Sequence, residues 1–469
     1  MCGVFGIVST GADVFGDVVN GLFQMQHRGQ DACGIALSDQ GQIRLHRGIG
    51  YVREVFRARP DEQFRGSLGC GHVRYPTQGA NRLTNAQPHR VQDLAGVRMA
   101  LASNGDLTNY KVIRAELEAA DTAFVGSNDA ELLLNFIAHH HLRKRLSIID
   151  SLRLMQERIQ GAYSFCLMTS DRLYAVRDPH AIRPLTFGRN EHSWIVASET
   201  TALDIALADR VGDIHPGEII EFAAGADPIR HHHPDEVEAR KGRETPAHCA
   251  FEYVYFSRPD SITFGQRVYD VRKRIGKWLA DCEDVQADVV VPVPDSSNAV
   301  AVGYARASGL PFELGLIRNH YVGRTFIDPD QPRRDESVRH KFNPLRSVFK
   351  KQRVILIDDS IVRGTTLRKL VRMVRGAGAD EVHVRIGSPI TRHSCYYGVD
   401  TPDADKLIGY NLDSEGIRAH IEADSLRYMS VEGLKECVGD RGDFCMACFD
   451  GKYPIPIAGH KNDRDEDEQ

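Results

Sequence analysis

The sequence predicts two joined folds: an α+β half rich in antiparallel hairpins, then an α/β half built on a parallel sheet. Three observations predict this. Up to about residue 225, short apolar runs alternate with turn signals and with helical patterns. Beyond residue 250, continuous β-branched runs end in acidic residues and lead into helix-like segments, as strands buried on both faces of a parallel sheet do. The chain of 469 residues is also too long for one ordinary domain and suits two or three.

The elements follow in order. Residues 4–8, Val-Phe-Gly-Ile-Val, form a strand entering a core directly behind Cys2. "DAELLLNFIAHHH" has apolar positions at helical spacing, and "SFCLMTSDRLYAVRD" reads as two strands around a Ser-Asp turn. "HSWIVASET" and "GEIIEFAAG" are further strands. Residues 226–246, "ADPIRHHHPDEVEARKGRETP", are polar without apolar periodicity and read as a linker or exposed connection. The His triplets at 139–141 and 231–233 are read as solvated helix ends and loops, not metal sites. "ADVVVPVPD" and "RVILIDDS" are strands of the parallel sheet, followed by helices in "NAVAVGYARASG" and "TTLRKLVRMVRGAG"; "EVHVRIGSP" supplies another strand. The acidic tail "KNDRDEDEQ" is expected to be disordered. No internal repeat is evident.

Composition narrows the classes. With 59 basic and 64 acidic residues the net charge is −5, which gives no reason to expect nucleic-acid or membrane affinity across the surface. No apolar stretch is long enough to span a bilayer and no signal-peptide pattern opens the chain, so a cytoplasmic location is expected. The ten cysteines then read as thiols or metal ligands, not a disulfide framework.

Two segments carry chemistry. Removal of the initiator Met would leave Cys2 with a thiol and a free α-amine on one residue, a nucleophile beside a base that titrates near neutrality. In "VILIDDSIVRGTT" (354–366), Val354 to Ile357 form a strand and Asp358 and Asp359 stand at its carboxyl end. Gly364, Thr365 and Thr366 open a helix whose apolar face is Leu367, Leu370, Val371 and Val374. The N-terminus of that helix suits a phosphate, whereas two carboxylates suit ribose hydroxyls and Mg²⁺. A helix cap following a strand is the simpler alternative for the Asp pair alone.

This stretch resembles the phosphoribosyl diphosphate signature of type I phosphoribosyltransferases, and "VPVPDSSNAVAVGYA" (291–305) resembles their pyrophosphate loop, with Asp295, Ser296 and Ser297 at the strand end. The resemblance implies Ser296, Asp358 and Asp359 as the Mg²⁺ positions. It also implies Arg324 and Lys341, in a basic segment able to close over a polyanion, as substrate contacts. In the first half, "LFQMQHRGQDACGI" (22–35), "GHVRYPTQG" (71–79), "NAQPH" (85–89) and "LASNGDLTNY" (101–110) resemble the class II glutamine amidotransferases. That implies an αββα Ntn-hydrolase fold in which Cys2 attacks glutamine, Asn104 and Gly105 form the oxyanion hole, and Arg74 and Asp129 hold the α-carboxylate and α-ammonium. Ser103 and Asp106 depart from the usual His and Asn of this motif; neither is assigned a principal role.

Together the modules resemble the amidophosphoribosyltransferase family over nearly the whole chain. The resemblance implies a glutaminase domain over 2–230, a connection over 231–258, a phosphoribosyltransferase domain over 259–440 and a C-terminal segment over 441–469. It further implies glutamine and 5-phosphoribosyl 1-diphosphate as substrates, feedback by purine nucleotides, and a homotetramer. Closure of the basic loop would open an apolar passage for ammonia between the sites. A catalytically inactive phosphoribosyl-diphosphate sensor, or an enzyme aminating another phosphosugar, is the alternative. The sensor would not need the glutaminase set.

Cys445 and Cys448 form a C-x-x-C pair that, by itself, suits zinc, redox chemistry or chance. With Cys249 and Cys395 it matches the iron-sulfur subclass of the family, which implies a structural [4Fe–4S] cluster; zinc on four cysteines is the alternative. Cys33, Cys70, Cys166, Cys282 and Cys437 are read as residues without chemistry.

Overall fold

Along the strand Gly3–Ser9 successive side chains enter different layers. Val4 and Val8 join a core with Ala36, Cys70, Ala100, Ala102, Cys166 and Ala175, while Phe5 and Ile7 join another with Val18, Leu22, Ile35 and Val73. This period-two alternation is what a strand sandwiched between two apolar layers requires. The computed structural model describes residues 1–11, 13–76, 81–94, 96–231, 246–282, 284–320 and 340–457.

Two antiparallel sheets face one another in the first half. One has seven strands, with Gly3–Ser9 at its centre between Ser193–Ala197 and Leu68–Arg74. The other has six, including Gly96–Leu107 paired with Gly161–Met168 and His89–Asp93. Small residues fill the space between them: a Cβ added at Gly6 would lie 2.8 Å from the Cys166 sulfur. Helix Phe15–Gln24 covers the outer face of the first sheet, and helices Tyr110–Ala119, Asp129–Ala138 and Ile148–Arg158 cover that of the second. The layers are therefore αββα.

Part of the segment read as a linker is ordered. Ile229–His231 is an edge strand paired antiparallel with Ile219–Glu221. Its residues are largely exposed, and the missing apolar periodicity reflects an edge facing water. Residues 232–245 and the acidic tail from 458 onward lie outside the described residues. His139–Arg143 form a π-helical turn continuing the helix Asp129–Ala138, in agreement with a helix end.

The second half is a parallel sheet in the order Val289–Pro292, Arg353–Asp358, Glu381–Ile386, Ser425–Tyr428. Val354 and Leu356 face helix Thr365–Gly376, where Leu367, Leu370, Val371 and Val374 are all buried. Ile355 and Ile357 face helices Val268–Asp281 and Asn298–Ser308. Those two helices approach so closely that a Cβ at Gly276 would strike the Val300 carbonyl oxygen at 1.9 Å.

The halves interlock at several points. His248–Cys249 pairs in parallel with Phe444–Cys445, binding the C-terminal segment to the connection. Gly398 lies on Gly105, so that an added Cβ would be 2.9 Å from the Gly105 carbonyl carbon. Among the described residues no helix is long and apolar enough to cross a membrane.

Candidate active sites

Cys2 is buried at the head of the central strand. Its backbone N–H donates to Asn104 Oδ1 at 3.3 Å, its thiol to the Tyr75 carbonyl at 3.5 Å, and its carbonyl accepts from Arg28 Nε at 3.0 Å. Met1 is buried too, with Arg183 Nη1 donating to its sulfur at 2.8 Å, and burial lowers the Met1 amine to about 5. A terminal amine in this environment is held as the free base at neutral pH.

Asn104 and Gly105 lie in the strand Gly96–Leu107, opposite Ser164 and Tyr163. Asn104 Nδ2 is buried without a hydrogen-bond partner among the described residues, so a donor is left unused beside the thiol. Only glycine fits at 105, because a Cβ would meet the Ala162 oxygen at 1.9 Å. The preceding residue, Ser103, is anchored at both backbone groups: its N–H donates to Gln87 Oε1 at 2.7 Å, and His72 Nε2 donates to its carbonyl at 3.0 Å. Burial and the neighbouring Arg74 push His72 down to about 3, leaving it neutral.

Arg74 ends the strand Leu68–Arg74 and is fully buried. Burial lowers its pKa against the opposing pull of Cys2, Asp129 and Asp31, which places these groups around it. Asp129 starts its helix behind Asn128, whose side chain accepts from the Ala130 N–H at 2.8 Å. Burial, then Asp106, then Cys2 raise the Asp129 pKa well above the ordinary carboxylate range. Asp106 is therefore not a bystander: it adds a second carboxylate beside the first. The arrangement offers a guanidinium and a carboxyl to the two ends of an amino acid, with a thiol and a spare amide donor at its side chain.

The second candidate site lies at the carboxyl ends of the parallel strands, where ligands of open α/β sheets bind. Ser296 Oγ donates to Asp359 Oδ2 at 2.5 Å, and Ser297 Oγ to Asp358 Oδ1 at 3.4 Å. Burial and Asp359 push the Asp358 pKa well up, opposed by Lys341; burial raises Asp359. Two adjacent carboxyls held above their ordinary range, next to a hydroxyl, would suit a divalent cation that takes its remaining ligands from water and phosphate. Gly364 caps helix Thr365–Gly376 with φ of 75°, a left-handed conformation that favours glycine, and turns the helix N-terminus toward the same end of the sheet. Arg318 Nη1 donates to Asp295 Oδ2 at 2.5 Å. Arg324 lies outside the described residues.

The four cysteines expected to act together converge from three segments. Cys249 and Cys445 are partners across the parallel ladder, and the Cys448 thiol is pushed up by burial and by the charges of Cys249, Cys395 and Cys445. Arg183 Nη2 approaches the Cys395 sulfur at 4.0 Å. Among the described residues no three His, Cys, Asp or Glu side chains converge closely enough to hold a metal ion. Cys249 is buried and Cys395, Cys445 and Cys448 are half-buried, so the four thiols share one neighbourhood where the connection meets the C-terminal segment. Cys33, Cys70, Cys166 and Cys437 are buried, and burial raises the pKa of each.

Sequence patterns match a glutamine amidotransferase domain over residues 80–205 and a phosphoribosyl transferase domain over residues 260–410. An amidophosphoribosyltransferase of Methanocaldococcus jannaschii is 45% identical over 97% of this chain and 98% of its own. One from Methanothermobacter thermautotrophicus is 43% identical over 97% of this chain and 95% of its own. The chain belongs to the amidophosphoribosyltransferase family. The solved structure of the Bacillus subtilis glutamine phosphoribosylpyrophosphate amidotransferase, in complex with ADP and GMP, superimposes with a TM-score of 0.87 at 40% identity, covering 97% of this chain and 98% of that one. As an amidophosphoribosyltransferase the chain is an enzyme, a transferase of the glutamine amidotransferase kind, with the two-domain fold expected from its motifs.

Several residues at these sites are not singled out by sequence reasoning. Arg28 lies inside the quoted "QHRGQD", but nothing there says that it would reach Glu199 and Glu252. Arg272 is buried behind the phosphoribosyl site, where Asp359 offsets part of the effect of burial on it. For Arg272 the available signal was an arginine on the apolar face of the helix Val268–Asp281; Arg28 lies in a turn beyond the helix Phe15–Gln24 and gave none.

Proposed function

We propose that this enzyme converts glutamine, water and 5-phosphoribosyl 1-diphosphate to glutamate, 5-phosphoribosylamine and diphosphate, the first step of purine synthesis. The observation that carries the reading is the unused Asn104 amide beside Cys2. After loss of Met1, the Cys2 amine takes the thiol proton and the thiolate attacks the glutamine side-chain amide. Asn104 Nδ2 and the Gly105 N–H stabilise the oxyanion. Arg74 holds the α-carboxylate and Asp129 the α-ammonium, whose charge offsets the Asp106–Asp129 repulsion. Ammonia leaves, and water cleaves the Cys2 thioester to glutamate.

At the second site neutral ammonia attacks C1 of the ribose and diphosphate departs. Asp358 and Asp359 accept from ribose hydroxyls and, with Ser296, hold Mg²⁺. Bound there, Mg²⁺ would neutralise charge on the departing diphosphate. Asp295, Ser297, Gly364, Thr365, Thr366, Lys341 and Arg324 complete the substrate contacts in this reading. Cys249, Cys395, Cys445 and Cys448 would ligate a [4Fe–4S] cluster, which ties the C-terminal segment to the connection and places the chain in the iron-sulfur subclass. The division at 2–230, 231–258, 259–440 and 441–469, the homotetramer, the cytoplasmic location and inhibition by purine nucleotides belong to the same proposal; the ADP and GMP held by the Bacillus subtilis relative support the last.

The test compares the intact chain with Cys2→Ser. Glutamine-dependent diphosphate release is expected to fall by about 10⁴-fold or more, as for loss of a catalytic nucleophile, with the ammonia-dependent reaction retained. Equal loss with both nitrogen donors would overturn the division of labour.

A further inference from the structure

We propose that Glu252, in the connection between the halves, is a positioning residue for Cys2, acting through Arg28. The inference rests on the reading of Cys2 as the nucleophile. Of the three hydrogen bonds described on Cys2, the one from Arg28 Nε to its carbonyl is the shortest, at 3.0 Å; the contacts to Asn104 and Tyr75 are 3.3 and 3.5 Å. The seat of the nucleophile thus depends on the orientation of the Arg28 guanidinium.

Two carboxylates set that orientation. Arg28 Nη1 donates to Glu199 Oε1 at 2.5 Å and to Glu252 Oε2 at 3.1 Å, and Nη2 donates to Glu252 Oε1 at 2.7 Å. Glu252 therefore takes the guanidinium fork with both oxygens, a geometry that fixes a plane as well as a distance. The side chains of Arg28, Glu199 and Glu252 are all at 0% exposure, so water cannot replace a missing partner.

Glu252 is itself held firmly. Ser257 Oγ donates to its Oε2 at 2.8 Å, and Arg183 Nη1 stands 3.7 Å from its Oε1. From the phosphoribosyl side, Arg272 clasps the same turn through the carbonyls of Tyr253, Tyr255 and Ser257 at 2.7, 3.0 and 2.8 Å. Glu199 is likewise anchored, by Ser261 Oγ at 2.7 Å and the Arg258 N–H at 2.9 Å. The glutaminase nucleophile is thus aligned by a residue 250 positions away, outside the glutaminase layers.

The experiment uses the full chain and Glu252→Gln, which keeps size but removes one acceptor oxygen and the charge. Three quantities are read: kcat and KM for glutamine, ammonia-dependent diphosphate release, and the rate of Cys2 alkylation by 6-diazo-5-oxo-norleucine. Misplacement of the thiol is expected to lower kcat and the alkylation rate together by about ten- to a hundredfold. KM should stay within about threefold and the ammonia reaction within about twofold, as for misalignment without loss of the pocket. Unchanged alkylation, or parallel loss of the glutamine and ammonia reactions, overturns the proposal. Should Glu252→Gln fail to fold, Arg28→Lys replaces it, because lysine keeps the charge but not the fork. The same pattern is expected, and unchanged alkylation again overturns the proposal. Wild-type protein inactive with both nitrogen donors would instead sink the functional reading, while the alkylation comparison would still judge Glu252.

Discussion

In the arginine frame behind Cys2 the buried charges are already matched. Arg28 is paired with Glu199 and Glu252, and its charges together with His27 hold the Glu199 carboxyl far below its ordinary range. Among the described residues around Asp358 and Asp359 the balance tips the other way: two carboxyls lie side by side, and burial together with Asp359 raises the first well above its ordinary range in spite of Lys341. The difference matches what each site would receive. The frame around Arg28 receives no ligand, so its charges must be balanced beforehand. A magnesium-bound polyanion brings the missing cation with it, so its pocket is left unbalanced until it arrives.

Asp358→Asn gives the hardest test of this contrast. Diphosphate release with either nitrogen donor is expected to fall by about 10³-fold, the several kcal/mol that a metal-supported site supplies. Cys2 alkylation should be unaffected, and thermal unfolding near neutral pH should not shift downward, because the lost carboxylate was costly to ionise. A lowered melting temperature would mean that the pair is balanced after all. Next in size, Asn104→Ala should reduce only the glutamine-dependent rate, by about 10²- to 10³-fold, as for loss of one oxyanion donor.

A third expectation concerns protons. The raised carboxyls release protons when the cation binds, so affinity for magnesium phosphoribosyl diphosphate should tighten as pH rises. Calorimetry in two buffers of different ionisation enthalpy measures that release, and none at all would break the contrast. Glutamine should also displace a proton from Asp129, since its ammonium relieves the crowding by Asp106.

The expectation that lies farthest from the two sites concerns acid stability. Burial lowers His72 and His89 to about 3 and His248 to about 4, against an unfolded value near 6.5. Their contribution is complete above pH 6.5 and is lost as pH falls through the window from 6.5 to about 3. In that window each should remove about 1.4 kcal/mol per pH unit. Urea unfolding at a series of pH values checks the slope, and His72→Gln should flatten it.

The elements that carry this chemistry were legible where one short stretch holds both the pattern and the functional group. The segment 354–366 announces strand, carboxylates and helix in sequence, and the chain folds it as Arg353–Asp358 followed by Thr365–Gly376. Cys2 before an apolar run and Asn104-Gly105 in a strand are similarly local. Ile229–His231 was misread because an exposed edge strand needs no apolar alternation. The clasp on Arg28 was invisible for a different reason: Arg28 and Glu252 are 224 residues apart, and each alone resembles an ordinary surface charge. Asp106 shows the same limit, since its proximity to Asp129 comes from a strand meeting a helix start.

The seating of Gly398 on Gly105 bears on how the enzyme is made. During synthesis the thiol at position 2 leaves the ribosome first, whereas Glu252 follows much later, and the residue covering the oxyanion strand later still. A nascent chain therefore exposes Cys2, the proposed nucleophile, long before the frame proposed to align it exists. On the proposed roles of Cys2 and Glu252, a chain still on the ribosome would hold the thiol without the geometry for glutamine hydrolysis.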